Sequence, residues 1–433
     1  MSIQGDIMLV NFRVENYKSF KDFTEFSMKA TKLKNLQESN SFDIANISLL
    51  KSAVVYGANA SGKSSLLHAM RDMQKIVKSS TDIEKAKKYK AKPFLLNIET
   101  EKKPTIFEVE FVIDEVLYRY GFEIAMDATI LEEWLFQKKL LVRSKEVRIF
   151  ERTAEHTVFS SSFKEGKHLV EKTRDNALFL SVVAQFNGEI SNKILKWFNT
   201  FNVLSSIKSE EFIGFSFNQL ENENFREKIV NFIKSADVGI QNIKSKKLRY
   251  DELNLDEDKL NLLSKEIIEN IKENGLASIE TMHIQYDKDN SFDSLKSFEL
   301  DFESDGTKKL LALSGPILDT LQRGSILIVD ELDNSLHTEL INAIIKLFNS
   351  KEMNPNNAQL IFSTHDTNLL NQKLFRRDQI WFLQKDMFGA SELYSLVEYG
   401  KGKTRDDLVL EKNYLDGKFG GVPSISSLDF GDL

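Results

Sequence analysis

Apolar residues alternate along residues 10–17 (Val10, Phe12, Val14), the period of a half-buried strand, and residues 23–28 are suited to pair with it. Residues 52–56 are instead one apolar run ending at a glycine. The residues after that glycine turn helical, so this part reads strand, Gly-rich loop, helix. Residues 105–123 predict two strands joined by a turn at Asp114 and Glu115, and β-like segments follow at 132–141 and 146–150. The period then lengthens. Helices are predicted at 190–198, 225–235 and 256–273, the last with Leu260, Leu263, Ile267 and Ile271 at helical spacing. Its heptads are too few for a long coiled coil. Strand and helix alternate again in the C-terminal third: strand 325–329, amphipathic helix 336–348, then strands 359–363, 379–383 and 393–398. Two α/β portions separated by other material predict one nucleotide-binding core assembled from both chain ends. The expected divisions are 1–92 and 296–433 for the core, 93–175 for an antiparallel β lobe and 176–295 for a helical insertion.

Composition narrows the classes. The chain has no cysteine, which excludes disulfides, thiolate zinc sites and iron–sulfur clusters. Its six histidines are scattered, with no pair at metal-ligand spacing. The start lacks a signal-peptide pattern and no long apolar run occurs, so a cytoplasmic protein without a membrane partner is expected. A formal net charge of −7 does not advertise nucleic-acid binding. Basic clusters nonetheless exist at Lys85–Lys92, Lys138–Arg148 and Lys244–Arg249, so nucleic acid stays open as a partner.

The chemistry lies in three places. Gly57-Ala58-Asn59-Ala60-Ser61-Gly62-Lys63-Ser64 fits GxxxxGK[ST] in full, between a strand and a helix. Such glycines let the backbone N–H groups curl around a phosphate, and the helix N-terminus adds a favourable dipole. Lys63 is expected to reach the β/γ-phosphates and Ser64 to ligate Mg²⁺, with Gly57, Asn59, Ser61, Gly62 and Ser65 as further nucleotide contacts. At 326–329 an apolar strand ends in Asp330 and Glu331, a costly place for two charges unless a cation compensates them. Asp330 is expected to hold the metal and Glu331 to act as general base. His365, in Ser363-Thr364-His365-Asp366 after the next apolar strand, can bond a γ-phosphate and orient water. Glu303-Ser304-Asp305-Gly306-Thr307 precedes another helix, where Ser304 reads equally as a plain N-cap or as part of an anion site.

GANASGKSS, ESDGTKKLLAL, ILIVDELDNSLH and STHDTNLL, in this order, resemble the AAA15-type branch of the ABC ATPases, related to the ATPase heads of Rad50, RecF and the OLD nucleases. FRVENYKSF, YRYGFE, NALFLSVVAQFN, ADVGIQNI and YLDGKFGGVP extend the resemblance over nearly the whole chain. It implies an α/β ABC-type P-loop ATPase head with an antiparallel β lobe and a helical insertion. It also implies ATP and Mg²⁺ as cofactors and a site shared by two copies. Lys63 and Ser64 then belong to Walker A, Asp330 and Glu331 to Walker B, Asp333 to the D-loop and His365 to the switch. Ser304 and Gly306 belong to a signature that receives the γ-phosphate held by another protomer. Gln185 is the candidate Q-loop ligand of Mg²⁺ and γ-phosphate, with Gln137 as the alternative. The signature departs from the usual pattern in carrying Asp305 where many relatives have glycine.

The resemblance further implies a homodimer or higher homo-oligomer that serves as the sensor or scaffold ATPase of a prokaryotic antiviral defence system and controls a separate effector. The stretch after His365 is too short for an OLD-type nuclease domain, so the chain is expected to carry none. The alternatives are a RecF- or Rad50-like DNA-repair ATPase and a slow-turnover scaffold locked by ATP. Glu331 argues against the scaffold, which has no need of a general base.

Overall fold

The computed structural model describes residues 7–204, 209–236, 238–248, 276–398 and 409–422. The helix expected at 256–273 lies outside them. The strands and longer helices in chain order begin with β1 (Ile7–Glu15), β2 (Thr24–Ser27), β3 (Ser41–Ile44), β4 (Ile47–Leu50), β5 (Ser52–Gly57) and α1 (Lys63–Ser79). Next come β6 (Thr105–Ile113), β7 (Val116–Ile124), β8 (Ile130–Lys139), β9 (Val147–Thr153) and β10 (Thr157–Phe159). The middle holds α2 (Phe179–Gln185), α3 (Glu189–Phe198), β11 (Phe201–Leu204), α4 (Ser209–Leu220) and α5 (Glu223–Ser235). After these come β12 (Ile240–Leu248), β13 (Leu276–Tyr286), β14 (Phe292–Glu299) and α6 (Asp305–Arg323). The chain closes with β15 (Ile326–Val329), α7 (Thr338–Asn349), β16 (Gln359–Ser363), β17 (Ile380–Lys385), β18 (Ser391–Ser395) and α8 (Leu410–Leu415).

Two compact units result, one of residues 1–206, 320–334 and 341–433, the other of residues 207–319 and 335–340. The first unit contains two large sheets. One is six-stranded in the order β11-β15-β16-β5-β17-β18, parallel except for the edge pair β17–β18. Its central strands are buried throughout, as strands covered on both faces must be, which is why they read as unbroken apolar runs. The other is an antiparallel sheet of seven strands, β10-β9-β8-β7-β6-β1-β2. Asp114 and Glu115 take left-handed φ of 50° and 58°, the two-residue turn that matches the twist of the β6–β7 hairpin. One continuous core joins Phe12, Phe107 and Phe122 of this sheet to Leu66, Met70 and Met73 of α1 and to Val55, Ile328 and Ile361 of the parallel strands.

Three placements differ from the sequence reading. The strands β1 and β2, expected in the core division 1–92, hydrogen-bond into the antiparallel sheet next to β6. From within the expected helical insertion, β11 joins the parallel sheet beside β15. In the second unit the insertion carries helices α4 and α5 together with the antiparallel sheet β12-β13-β14, where no strand is expected from the pattern. The reason is local. β14 is exposed at nearly every position, so no inward face imposes an alternation, and β11 has only four residues.

Candidate functional site

Parallel pairing sets the strand ends level. Val329 of β15 lies beside Phe362 of β16, and Ser363 beside Val55 of β5, so the loops after all three strands open at one carboxyl edge. Open α/β sheets bind ligands there. β5 runs straight into the Gly-rich loop. A Cβ on Gly57 would stand 2.4 Å from the Leu383 carbonyl, and one on Gly62, whose φ is 114°, would stand 2.5 Å from the Ser391 hydroxyl. Neither position can carry a side chain without moving the loop.

This loop lines a cavity of about 570 Å³. Asn59, Ser61, Gly62, Lys63, Ser64 and Ser65 contribute to it from the loop and the first turn of α1, and Glu331 and His365 from the ends of the neighbouring strands. The Lys63 ammonium donates to the Gly57 and Ala58 carbonyls, at 2.7 and 3.1 Å. Burial lowers its pKa to about 8, against the opposing pull of Asp330, Glu331 and Asp333. No side chain caps α1 at Gly62, so the first-turn N–H groups are left for an anion. The Ser61 and Ser19 hydroxyls and one Asp333 carboxylate oxygen are buried with no hydrogen-bond partner, an unusual concentration of unmet polar atoms. Such a site fits a polyphosphate: donors, a cation and unpaired hydroxyls converge on one cavity.

The acidic side is held together by Ser363. Its hydroxyl donates to Asp330 Oδ1 at 2.6 Å and accepts the Glu331 N–H at 2.7 Å. Asp330 is buried. Glu331 adopts φ 52°, a left-handed conformation that a residue with a long side chain takes only when its surroundings impose it. The His365 N–H donates to Asp333 Oδ2 at 3.0 Å, which ties the loops after β15 and β16 to each other. Burial, and next the Lys63 charge, lower the His365 pKa below its ordinary value, against the pull of Asp333, Glu331 and Asp330. Among the described residues no group of three or more His, Asp or Glu side chains is arranged to hold a metal. A magnesium ion held by phosphate oxygens, one hydroxyl and one carboxylate needs no such group. Ser64 lines the cavity, while Asp330 is buried at the end of β15 and does not line it; a hydroxyl and a carboxylate of these kinds are what such an ion would take.

Not every candidate comes to this cavity. Gln185 ends α2 in an exposed position and Gln137 is half-buried within β8, and neither lines the cavity. Ser304 and Gly306 belong to the second unit. The Ser304 hydroxyl accepts the Thr307 N–H at 3.2 Å and lies 2.9 Å from the Thr307 hydroxyl, the geometry of an N-cap on α6. Sequence reasoning passed over Ser19 and Lys385, which also line the cavity, and over the bridging role of Ser363. Ser391 belongs with them: its hydroxyl donates to the Ser61 carbonyl at 2.6 Å and its N–H to the Ser19 carbonyl at 2.7 Å. In the basic clusters Lys85, Lys87 and Lys92 pair with Asp82, Glu84 and Asp72, which weakens any field they present to phosphate. Among the described residues no helix is long and apolar enough to cross a membrane.

No curated protein matches the chain. A family model described as "AAA domain, putative AbiEii toxin, Type IV TA system" matches residues 52–371, from β5 through the loop that bears His365. That span is well over half of the 433 residues and includes the cavity residues from Asn59 to Ser65 with Glu331 and His365, though not Ser19 or Lys385, and on it the chain belongs to this AAA-domain family of P-loop ATPases.

Proposed function

We propose that the protein is an ABC-type ATPase, close to the AAA15 branch, which hydrolyses MgATP when two copies close on the nucleotide. The observation that carries this is the convergence of Lys63, the uncapped start of α1, Glu331 and His365 on one cavity. In this reading the loop N–H groups and Lys63 hold the β- and γ-phosphates, and the lysine gives up its bonds to the Gly57 and Ala58 carbonyls to do so. Ser64 and Asp330 hold magnesium, which when bound offsets charge on the phosphate oxygens. Glu331 takes the proton of the attacking water, and the His365 ring bonds the γ-phosphate side of that water. Ser363 fixes the Asp330 carboxylate and the Glu331 backbone in register. Ser304 and Gly306 of a second copy complete the site, Asp333 links the two halves, and Gln185 senses the metal.

The family description names a putative toxin of a type IV TA system, which supports a role for this chain alongside a separate protein. Within it we read this chain as the ATP-dependent sensor or scaffold that controls a separate effector, in antiviral defence. ATP turnover and light-scattering mass test the catalytic part on wild type, Glu331→Gln and Lys63→Ala. Glu331→Gln should bind ATP and gain mass without turnover, while Lys63→Ala should neither bind ATP, gain mass nor turn over. If all three behave alike, with mass independent of ATP, catalysis by closure is excluded and a constitutive scaffold is the better account.

A further inference from the structure

Residues 410–421, LEKNYLDGKFGG, are α8 and the turn after it, and they do not line the phosphate cavity. We propose that they form a brace that sets the loop bearing His365 against the phosphate loop, with Tyr56 and Glu411 as positioning residues for hydrolysis that never touch the nucleotide. The inference rests on the hydrolytic site proposed above.

The packing at the end of β5 comes first. Parallel pairing sets Phe382 of β17 beside Tyr56 and Leu383 beside Gly57. The buried Tyr414 ring stacks on Phe382, with 5.4 Å between centroids and 20° between planes, and lies 5.8 Å from the Tyr56 ring. Phe419 stacks on Phe382 as well, at 5.7 Å. A helix of six residues does not hold by itself, so these rings anchor α8 to the parallel sheet.

From there the segment reaches both loops. On the phosphate side, the Tyr414 hydroxyl donates to the Gly421 carbonyl at 3.0 Å. Gly421 takes φ 69°, and a Cβ there would stand 3.3 Å from the Leu383 carbonyl and 3.7 Å from Gly57 Cα. The same carbonyl closes over Gly57, so the first glycine of the phosphate loop and Gly421 share one backstop. On the histidine side, the Tyr56 hydroxyl donates to the Asp366 carbonyl at 3.3 Å, and the Thr367 hydroxyl donates to Glu411 Oε1 at 3.4 Å. Asp366 and Thr367 directly follow His365. A side chain that orients water works only when held to within about 0.5 Å. The His365 N–H is tied to Asp333, and Tyr56 and Glu411 hold the chain on the other side of the histidine.

Three measurements on the full chain test this in Tyr56→Phe, Glu411→Ala and Glu411→Gln: ATP turnover, affinity for a fluorescent ATP analogue with magnesium, and hydrogen exchange of a peptide spanning residues 365–370. Tyr56→Phe keeps its ring and Glu411 is half-buried, so melting temperatures should stay within about 3 °C of wild type. Tyr56→Phe and Glu411→Ala should each lower kcat about tenfold or more, with analogue affinity within about twofold. Exchange in the 365–370 peptide should quicken about tenfold in both. Glu411→Gln keeps an acceptor for Thr367 and should match wild type throughout. If either Tyr56→Phe or Glu411→Ala turns over like wild type, that residue does not position the histidine. Unchanged exchange, or kcat, affinity and melting temperature falling together, would overturn the brace, and Glu411→Gln as slow as Glu411→Ala would overturn the bond to Thr367 as its cause. A wild type that binds the analogue without turning over ATP would overturn the hydrolytic reading and the positioning role with it, while exchange still decides whether the brace exists.

Discussion

Lys63 faces opposing demands. Its ammonium is the form that pairs with a triphosphate, yet burial lowers its pKa to about 8 in the free site, with Asp330, Glu331 and Asp333 pulling upward. Phosphate binding favours the charged form, so the bound-state pKa is higher than the free one. Below pH 8 this lysine is already charged and affinity is flat with respect to it. Above pH 8 binding must take up a proton, and affinity falls by up to about tenfold per pH unit until the bound-state pKa is reached. Calorimetry at pH 8.5 in two buffers of different ionisation enthalpy should therefore register proton uptake on ATP binding. None at pH 8.5 would mean that Lys63 does not pair with the phosphates. The residues of this argument were readable in the sequence because they follow one another along a single strand, loop and helix, or directly end an apolar strand. Ser19 and Lys385 were not, because only the order of the sheet brings β17 beside β5, and only the β17–β18 hairpin, through Ser391, ties Ser19 to the loop.

At the level of elements, α2 starts on a cap donated by another strand. Glu133 of β8, fully buried, accepts the Phe179 N–H at 2.6 Å and the Leu180 N–H at 2.9 Å. It also takes the Tyr120 hydroxyl at 2.9 Å and stands 3.4 Å from Arg152. Burial raises its pKa, while Arg152 and these donors oppose the rise. Glu133→Ala removes the cap and leaves a buried guanidinium without its carboxylate. Denaturant unfolding should register a loss of about 3–5 kcal/mol, the range for breaking one side of a buried ion pair. Glu133→Gln keeps an acceptor for the helix and should lose less. If Glu133→Ala unfolds like wild type, the helix does not depend on this cap. The pattern of β8 predicts the strand, but not that a glutamate within it faces inward, because its partners come from a segment more than forty residues later. The same limit hid β12–β14. β14, exposed on both faces, leaves no period to read, and in β12 and β13 the few core positions (Ile240, Ile243, Ile279) are too sparse to declare one, whereas β6 alternates and declares itself.

For the whole molecule the question is whether one chain holds a complete site. Ser304 has the bonds of a plain N-cap, and that alone would make it a structural residue costing about 1 kcal/mol on removal. A shared site predicts more. Lys63→Ala removes the phosphate cation from one chain, and Ser304→Arg blocks the surface that would receive phosphate from another. Each variant alone should be inactive, with Ser304→Arg still binding ATP. Mixed in equal amounts, random pairing gives about half mixed dimers, each with one site carrying both lesions and one carrying neither. Turnover should then return to about a quarter of wild type. Recovery of that kind cannot arise within single chains, since each still carries its own defect. If mass measurements show mixed dimers and turnover stays absent, the two chains do not complete each other's sites. If Ser304→Arg alone turns over like wild type, the hydroxyl caps α6 and does nothing more, and the partner that completes the cavity has to be sought on a different surface.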